Sequence, residues 1–274
     1  MKRILMAFDG RHFSKGVFEF GKQMNRYQPI MATGLFLPSI DYVELFYSYG
    51  GIPAGPVFVQ QPLQEDDEVI NNNILKFADL CADNHMKYTV HQDFTKHVVD
   101  KVKSETRFSD VLVLSNSSFY ANLGDETHDE YIENILRTTE CPVMLVADEY
   151  KTPNNIIIAY DGSERSVYAI KQFAYLFPEF RDIHTLLVYF DNGREGVPER
   201  KAIEEFASLH FNKLSIFKLK INPKKDLESW LSNYGNPLLV TGSYGRSGFS
   251  EMFRQSFIAE VLHKHLVPVF IAHK

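Results

Sequence analysis

The sequence predicts an α/β chain made of two tandem copies of one unit, each a five-stranded parallel sheet with helices on both faces. Three observations predict it. Short, continuous apolar runs alternate with amphipathic stretches, the pattern of a parallel sheet buried on both sides. The chain also starts twice: Arg3-Ile4-Leu5-Met6-Ala7-Phe8 runs into Asp9-Gly10, and Asn155-Ile156-Ile157-Ile158-Ala159-Tyr160 runs into Asp161-Gly162. Finally, 274 residues are just under two domains of about 150 each.

The elements follow in the same order in both halves. Each opening strand ends on Asp-Gly, a turn signal. Helices come next, with Phe13, Val17, Phe18, Phe20, Gly21 and Met24 in the first half and Val167, Ile170, Phe173, Ala174 and Phe177 in the second recurring at helical spacing. Second strands are expected at Ile30–Leu37 and Thr185–Phe190, then helices at about Glu65–Asn84 and Glu199–Leu209. Third strands fall at Tyr88–His91 and Leu214–Leu219, with short helices after them at about Lys96–Thr106 and Lys225–Tyr234. The fourth strands, Val111–Leu114 and Pro237–Val240, are wholly apolar. A last helix precedes the closing strands Pro142–Val146 and Pro268–Ala272. Crossovers between parallel strands are expected to be right-handed. Domains are therefore expected at 1–148 and 153–274, joined by a polar linker at Asp148–Pro153.

The halves differ in one long segment, Pro38–Pro62, rich in Gly, Pro and aromatics. A loop of that length is usually functional or disordered. Its Phe46, Tyr47, Tyr49 and Phe58 suit either a protein partner or a lid over its own domain.

Composition narrows the function classes. With 29 Lys+Arg against 35 Asp+Glu the net charge is −6, and no basic stripe is present, so nucleic acid is not an expected partner. Two cysteines, Cys81 and Cys141, make no disulfide framework and read as buried thiols. No apolar stretch reaches the 18–20 residues of a membrane span, and no signal peptide stands at the start, so a cytoplasmic location is expected.

The most informative motif is Val240-Thr241-Gly242-Ser243-Tyr244-Gly245-Arg246-Ser247-Gly248-Phe249-Ser250. It follows a buried strand and precedes a helix, at the carboxyl edge where parallel α/β sheets bind ligands. Glycines let the backbone turn tightly, and successive N–H groups form an anion nest at a helix N-terminus. Arg246 and Arg254 add positive charge. The spacing matches neither the dinucleotide fingerprint nor a P-loop.

On these residues the chain resembles a tandem universal stress protein, a family of adenine-nucleotide-binding-type, Rossmann-like α/β domains. The resemblance runs through both halves. It rests on Asp161-Gly162-Ser163 with Ser166, on the loop Gly242–Ser250 and on the closing Val267-Pro268-Val269. The nucleotide-binding branch carries G-x-x-G-x9-G-[S/T]. Gly242 and Gly245 match, Gln255 stands where the third glycine belongs, and Ser256 matches the hydroxyl position. The resemblance implies an adenine nucleotide, ATP foremost, with Mg2+ accompanying it. It implies that Asp161 faces ribose or adenine and that the backbone at Tyr189 grips adenine. Gly242, Gly245 and Arg246 would wrap the phosphates, and Ser256 with the N–H of Phe257 would contact the terminal ones. At Gln255 a side chain either fills the space a glycine leaves or hydrogen-bonds a phosphate itself. A homodimer or an intrachain pseudo-dimer through the last strand is implied too.

The first half is expected to be degenerate. Ser115 and Ser118 align with Gly242 and Gly245, Asp125, Glu126, Asp129, Glu130 and Glu133 follow, and no Lys or Arg stands between Ser115 and Arg137. Carboxylates beside a triphosphate repel it. No metal-ligand spacing, nucleophile elbow or Cys/His pairing appears, so neither a metal site nor catalytic residues are expected, and activity is at most a slow ATPase. Two functions compete: a stress-response regulator binding ATP in its C-terminal domain, and an interaction or scaffold protein of the same fold acting through dimer and partner surfaces.

Overall fold

A computed structural model describes residues 1–9, 11–38, 64–92, 98–121, 125–190, 196–219, 223–242, 261, 264 and 267–272. The first half contains β1 (Lys2–Phe8), α1 (Lys15–Tyr27), β2 (Ile30–Phe36), α2 (Gln64–Asp83), β3 (Lys87–Gln92), α3 (Val98–Thr106), β4 (Val111–Ser115), α4 (Asp125–Thr138) and β5 (Val143–Val146). The second contains β6 (Asn155–Tyr160), α5 (Glu164–Leu176), a 3-10 turn (Pro178–Phe180), β7 (His184–Phe190), α6 (Arg200–Ser208), β8 (Leu214–Leu219), α7 (Pro223–Ser232), β9 (Pro237–Gly242) and β10 (Val269–Ala272). The segment 39–62 and most of the stretch expected to hold the last helix lie outside the described residues.

Apolar runs become strands because they are buried on both sides: Ile4–Phe8 and Ile156–Tyr160 are buried at every position. Serine side chains start the helices after them. Ser14 Oγ accepts the Val17 N–H at the start of α1, and Ser163 Oγ accepts that of Ser166 at the start of α5, each satisfying a donor the helix leaves unpaired.

The strands form one sheet in the order β3-β2-β1-β4-β5-β10-β9-β6-β7-β8. Within each half every described pairing is parallel. The halves meet where β5 pairs antiparallel with β10, Met144 opposite Phe270. The two copies are thus related by a pseudo-two-fold axis and joined edge to edge within one chain.

Each face of the sheet carries a core that runs through both halves. On one face α1, α2, α5 and α6 supply Phe20, Phe77, Phe173 and Ile203, among others. On the other, α3, α4 and α7 supply Val102, Ile135 and Leu231. Aromatic rings close the seam: Phe20 meets Phe177 edge to face with centroids 5.8 Å apart, and Tyr27 meets Phe180 at 6.2 Å. Lys2 Nζ donates to the Leu176 carbonyl and to Glu179 Oε1, 2.9 Å away, and stands over the Phe177 ring. The polar stretch expected as a linker is itself part of this seam, because Pro153 is buried and Tyr150 lies edge-on to Phe20 at 5.5 Å. Burial pushes the Cys81 and Cys141 thiols up to about 12, so both stay protonated and unreactive at neutral pH.

Candidate functional site

In a sheet of order 3-2-1-4-5 the crossovers diverge between the first and fourth strands, and a crevice opens at their carboxyl ends. This molecule has two such points, one at β1/β4 and one at β6/β9.

In the second half Ala159 pairs with Thr241, and Asp161 and Gly242 stand just beyond. Asp161 Oδ1 accepts the Ser163 N–H at 2.9 Å. Among the described residues no hydrogen bond reaches its Oδ2. Gly162 takes a left-handed φ of 83°, and a side chain there would run into Pro198. The Tyr160 hydroxyl donates to the Pro198 carbonyl at 3.1 Å, and burial with the nearby Glu199 and Asp161 raises its pKa. Gly242 has a packing duty: a Cβ there would lie 2.6 Å from the carbonyl of Arg165 and 2.7 Å from the Ser166 nitrogen, inside the first turn of α5. Tyr189 pairs with Tyr160 at the end of β7 and its side chain is buried, so its backbone is what it offers the crevice. The structure therefore brings Asp161 and Gly242 together beside the α5 N-terminus, with Tyr189 one strand away. Gly245, Arg246, Gln255, Ser256 and Phe257 lie outside the described residues.

The equivalent crevice of the first half is closed by the chain itself. Met6 pairs with Val113, and three positions further on stand Asp9 and Asn116. Asp9 is only 3% exposed. Its Oδ1 accepts the N–H groups of Arg11 at 2.8 Å and His12 at 2.6 Å, and its Oδ2 accepts that of Tyr120 at 2.7 Å. The His12 Nδ1 lies within 3.2 Å of both oxygens. Tyr120, 1% exposed with φ 59°, donates its hydroxyl to the Pro38 carbonyl at 2.7 Å. Burial, then Tyr131 and Asp9, hold that hydroxyl well above its ordinary pKa, so it stays a donor. Asp148 Oδ1 collects three serine hydroxyls, Ser14 at 2.5 Å, Ser118 at 2.9 Å and Ser115 at 3.1 Å. A carboxylate of the chain thus occupies the serine hydroxyls at this edge of the sheet.

The sequence leads to an expectation of charge repulsion here by Asp125, Glu126, Asp129, Glu130 and Glu133; the side chains of the first four lie outside the described residues, and Glu133 pairs with Arg137 at 3.3 Å. The described groups that fill the crevice are Asp9, Tyr120 and Asp148. The alignment of Ser115 and Ser118 with the glycines marked the locus. Nothing in the local sequence marked Tyr120, whose hydroxyl partner is 82 positions away. Among the described residues no three His, Cys, Asp or Glu side chains gather to hold a metal.

No family model and no curated protein matches the sequence. Solved structures do match the fold. A universal stress protein from Archaeoglobus fulgidus DSM 4304 superposes with a TM-score of 0.68 at 12% identity, covering 100% of this chain and 96% of that one. A candidate universal stress protein from Pseudomonas aeruginosa UCBPP-PA14 gives 0.57 at 10% identity, covering 99% and 93%. The cytoplasmic domain of a prokaryotic cation chloride cotransporter gives 0.50 at 14% identity, covering 98% and 94%. At such identities the likeness establishes the architecture: two tandem Rossmann-like α/β units arranged as in universal stress proteins, along essentially the whole chain.

Proposed function

We propose that this chain, which has the tandem universal stress protein fold, is a stress-response regulator that binds one adenine nucleotide, ATP foremost, in its C-terminal half. The observation that carries the reading is the contrast between two aspartates at equivalent strand ends. Asp9 is saturated by three N–H groups and a histidine, whereas Asp161 keeps Oδ2 clear of the described residues. In this reading Asp161 accepts ribose hydroxyls and the backbone at Tyr189 holds adenine. Gly242, Gly245 and Arg246 wrap the phosphates, while Gln255, Ser256 and the Phe257 N–H reach the terminal ones. Mg2+ would enter with the triphosphate and offset its charge. Nucleotide here is a signal, not a substrate, and the protein works in the cytoplasm. No helix of the described residues is long and apolar enough to cross a membrane.

Calorimetry with ATP, ADP and AMP on the full chain tests this. One ATP per chain is expected, with binding lost in Gly245→Arg. Absence of heat at millimolar ATP overturns the reading and leaves the second one, a scaffold acting through surfaces such as 38–62. That alternative draws support from Gln255, which stands where the nucleotide-binding pattern requires glycine.

A further inference from the structure

We infer that this chain pairs face to face with a second copy of itself, the acidic outer stripe of α2 in each copy lying on the basic, aromatic groove between α5 and α6 of the other. The inference stands on the outer faces of the helices and does not depend on nucleotide binding.

α2 buries Ile70, Phe77 and Cys81 against the sheet. Helical spacing then turns Glu68, Leu75, Asp79 and Asp83 outward. All four are exposed, Leu75 by 62%. Along its length α2 carries six carboxylates against one cation, Lys76, which stands over the Phe13 ring. Among the described residues no cation pairs with Glu68, Asp79 or Asp83.

The same face of the sheet is built for the opposite charge in the second half. α5 turns Lys171 and Tyr175 outward, and Leu209, the residue after α6, is 73% exposed. Between the two helices the His210 ring meets Tyr175 edge-on at 5.4 Å and Phe206 at 5.0 Å, and Lys171 Nζ stands 5.6 Å over Phe206. Arg181 belongs to this groove: after burial, its guanidinium is what lowers the His210 pKa. It donates to Asn212 Oδ1, and among the described residues no carboxylate pairs with it or with Lys171. The neighbouring acids are engaged elsewhere, Asp182 by Asn212, Glu204 by Arg200 and Glu205 by Lys201. Exposed apolar side chains inside a charged rim are the mark of an interaction surface.

Topology selects the occupant. α2, α5 and α6 lie on one face of the sheet, α2 over one end and α6 over the other. A two-fold axis parallel to the strands lays the first half of one copy over the second half of the next. The acidic stripe and the basic groove then meet twice, and the contact closes at two copies. A free acidic peptide would cover the groove alone and leave the carboxylates of α2 unanswered. The closing strands take no part, because β5 and β10 already pair within the chain.

Sedimentation equilibrium of the full chain without nucleotide provides the test. A dimer and nothing larger is expected, weakening at least tenfold when salt is raised enough to screen the facing charges. Reversing the stripe (Glu68→Lys with Asp79→Lys) or the groove (Lys171→Glu with Arg181→Glu) should each weaken it at least a hundredfold. Mixing the two variants should restore a dimer containing one of each, because reversed stripe then meets reversed groove while the unaltered pair meets as before. That rescue also shows that both variants fold. Phe108→Ser, after α3 on the opposite face, should leave the dimer as it is. A monomeric wild type, assemblies that grow beyond two, a dimer that survives both reversals, or reversed variants that do not pair with each other would each overturn the inference.

Discussion

Gly242 shows how a motif glycine can answer to two masters. The sequence motif leads to an expectation of phosphate contact there, and its missing Cβ faces the backbone of Arg165 and Ser166, which does not yield as a side-chain tip does. Gly16 has the same role in the first half, against the Ala147 carbonyl. Gly242→Ala is therefore expected to cost about 1–3 kcal/mol by overpacking in ligand-free protein, measured by urea unfolding. A cost near zero would return Gly242 to ligand contact alone. Glu105 gives a residue-scale pH prediction. Burial raises its pKa, but hydrogen bonds from Lys101 and His91 outweigh this and hold it below 4.5. A depressed carboxyl stabilises the fold above its unfolded pKa and loses that contribution as pH falls through the folded value. Glu105→Gln should lower stability at pH 7 and flatten the loss below pH 4.5 seen in urea titrations of the wild type.

At the scale of elements the sequence was readable wherever burial was complete. Ile4–Phe8, Val111–Leu114 and Ile156–Tyr160 show continuous apolar runs because both faces are covered. The edge strands β3 and β8 were readable from their position in the repeat, for each is half-wetted: Tyr88, Phe217 and Lys218 are exposed. Asp148 was not readable. It sits in a polar run that looks like any linker, and its partner Ser14 is 134 positions away. Tyr120 is hidden for the same reason, since a closed crevice depends on contacts that periodicity does not encode. Ser14 and Ser163 allow a paired test. Both cap a helix, but only Ser14 also donates to a carboxylate. Ser163→Ala should cost about 1 kcal/mol. Ser14→Ala should cost clearly more, since a charge-assisted hydrogen bond adds about 1.5–3 kcal/mol. Equal costs in denaturant titrations would mean that the Asp148 bond contributes nothing.

The whole molecule behaves as one cooperative unit if its cores mean what they show. Both apolar cores cross from half to half, and Phe177 touches Phe20 on one side and Phe270 on the other. Phe177→Ala is expected to cost about 3–5 kcal/mol. Calorimetric melting should show one transition, shifted down as a whole. Two separated transitions would make the halves independent and the seam incidental. The pairing of β5 with β10 carries a last consequence. Partners that meet only by diffusion separate on dilution, whereas here the tether supplies a high effective concentration that dilution does not lower. The arrangement therefore persists at any copy number in the cell, always as one first half with one second half and never as two alike. Because neither half can be exchanged for a twin, each is free to change its crevice without spoiling a symmetric mate.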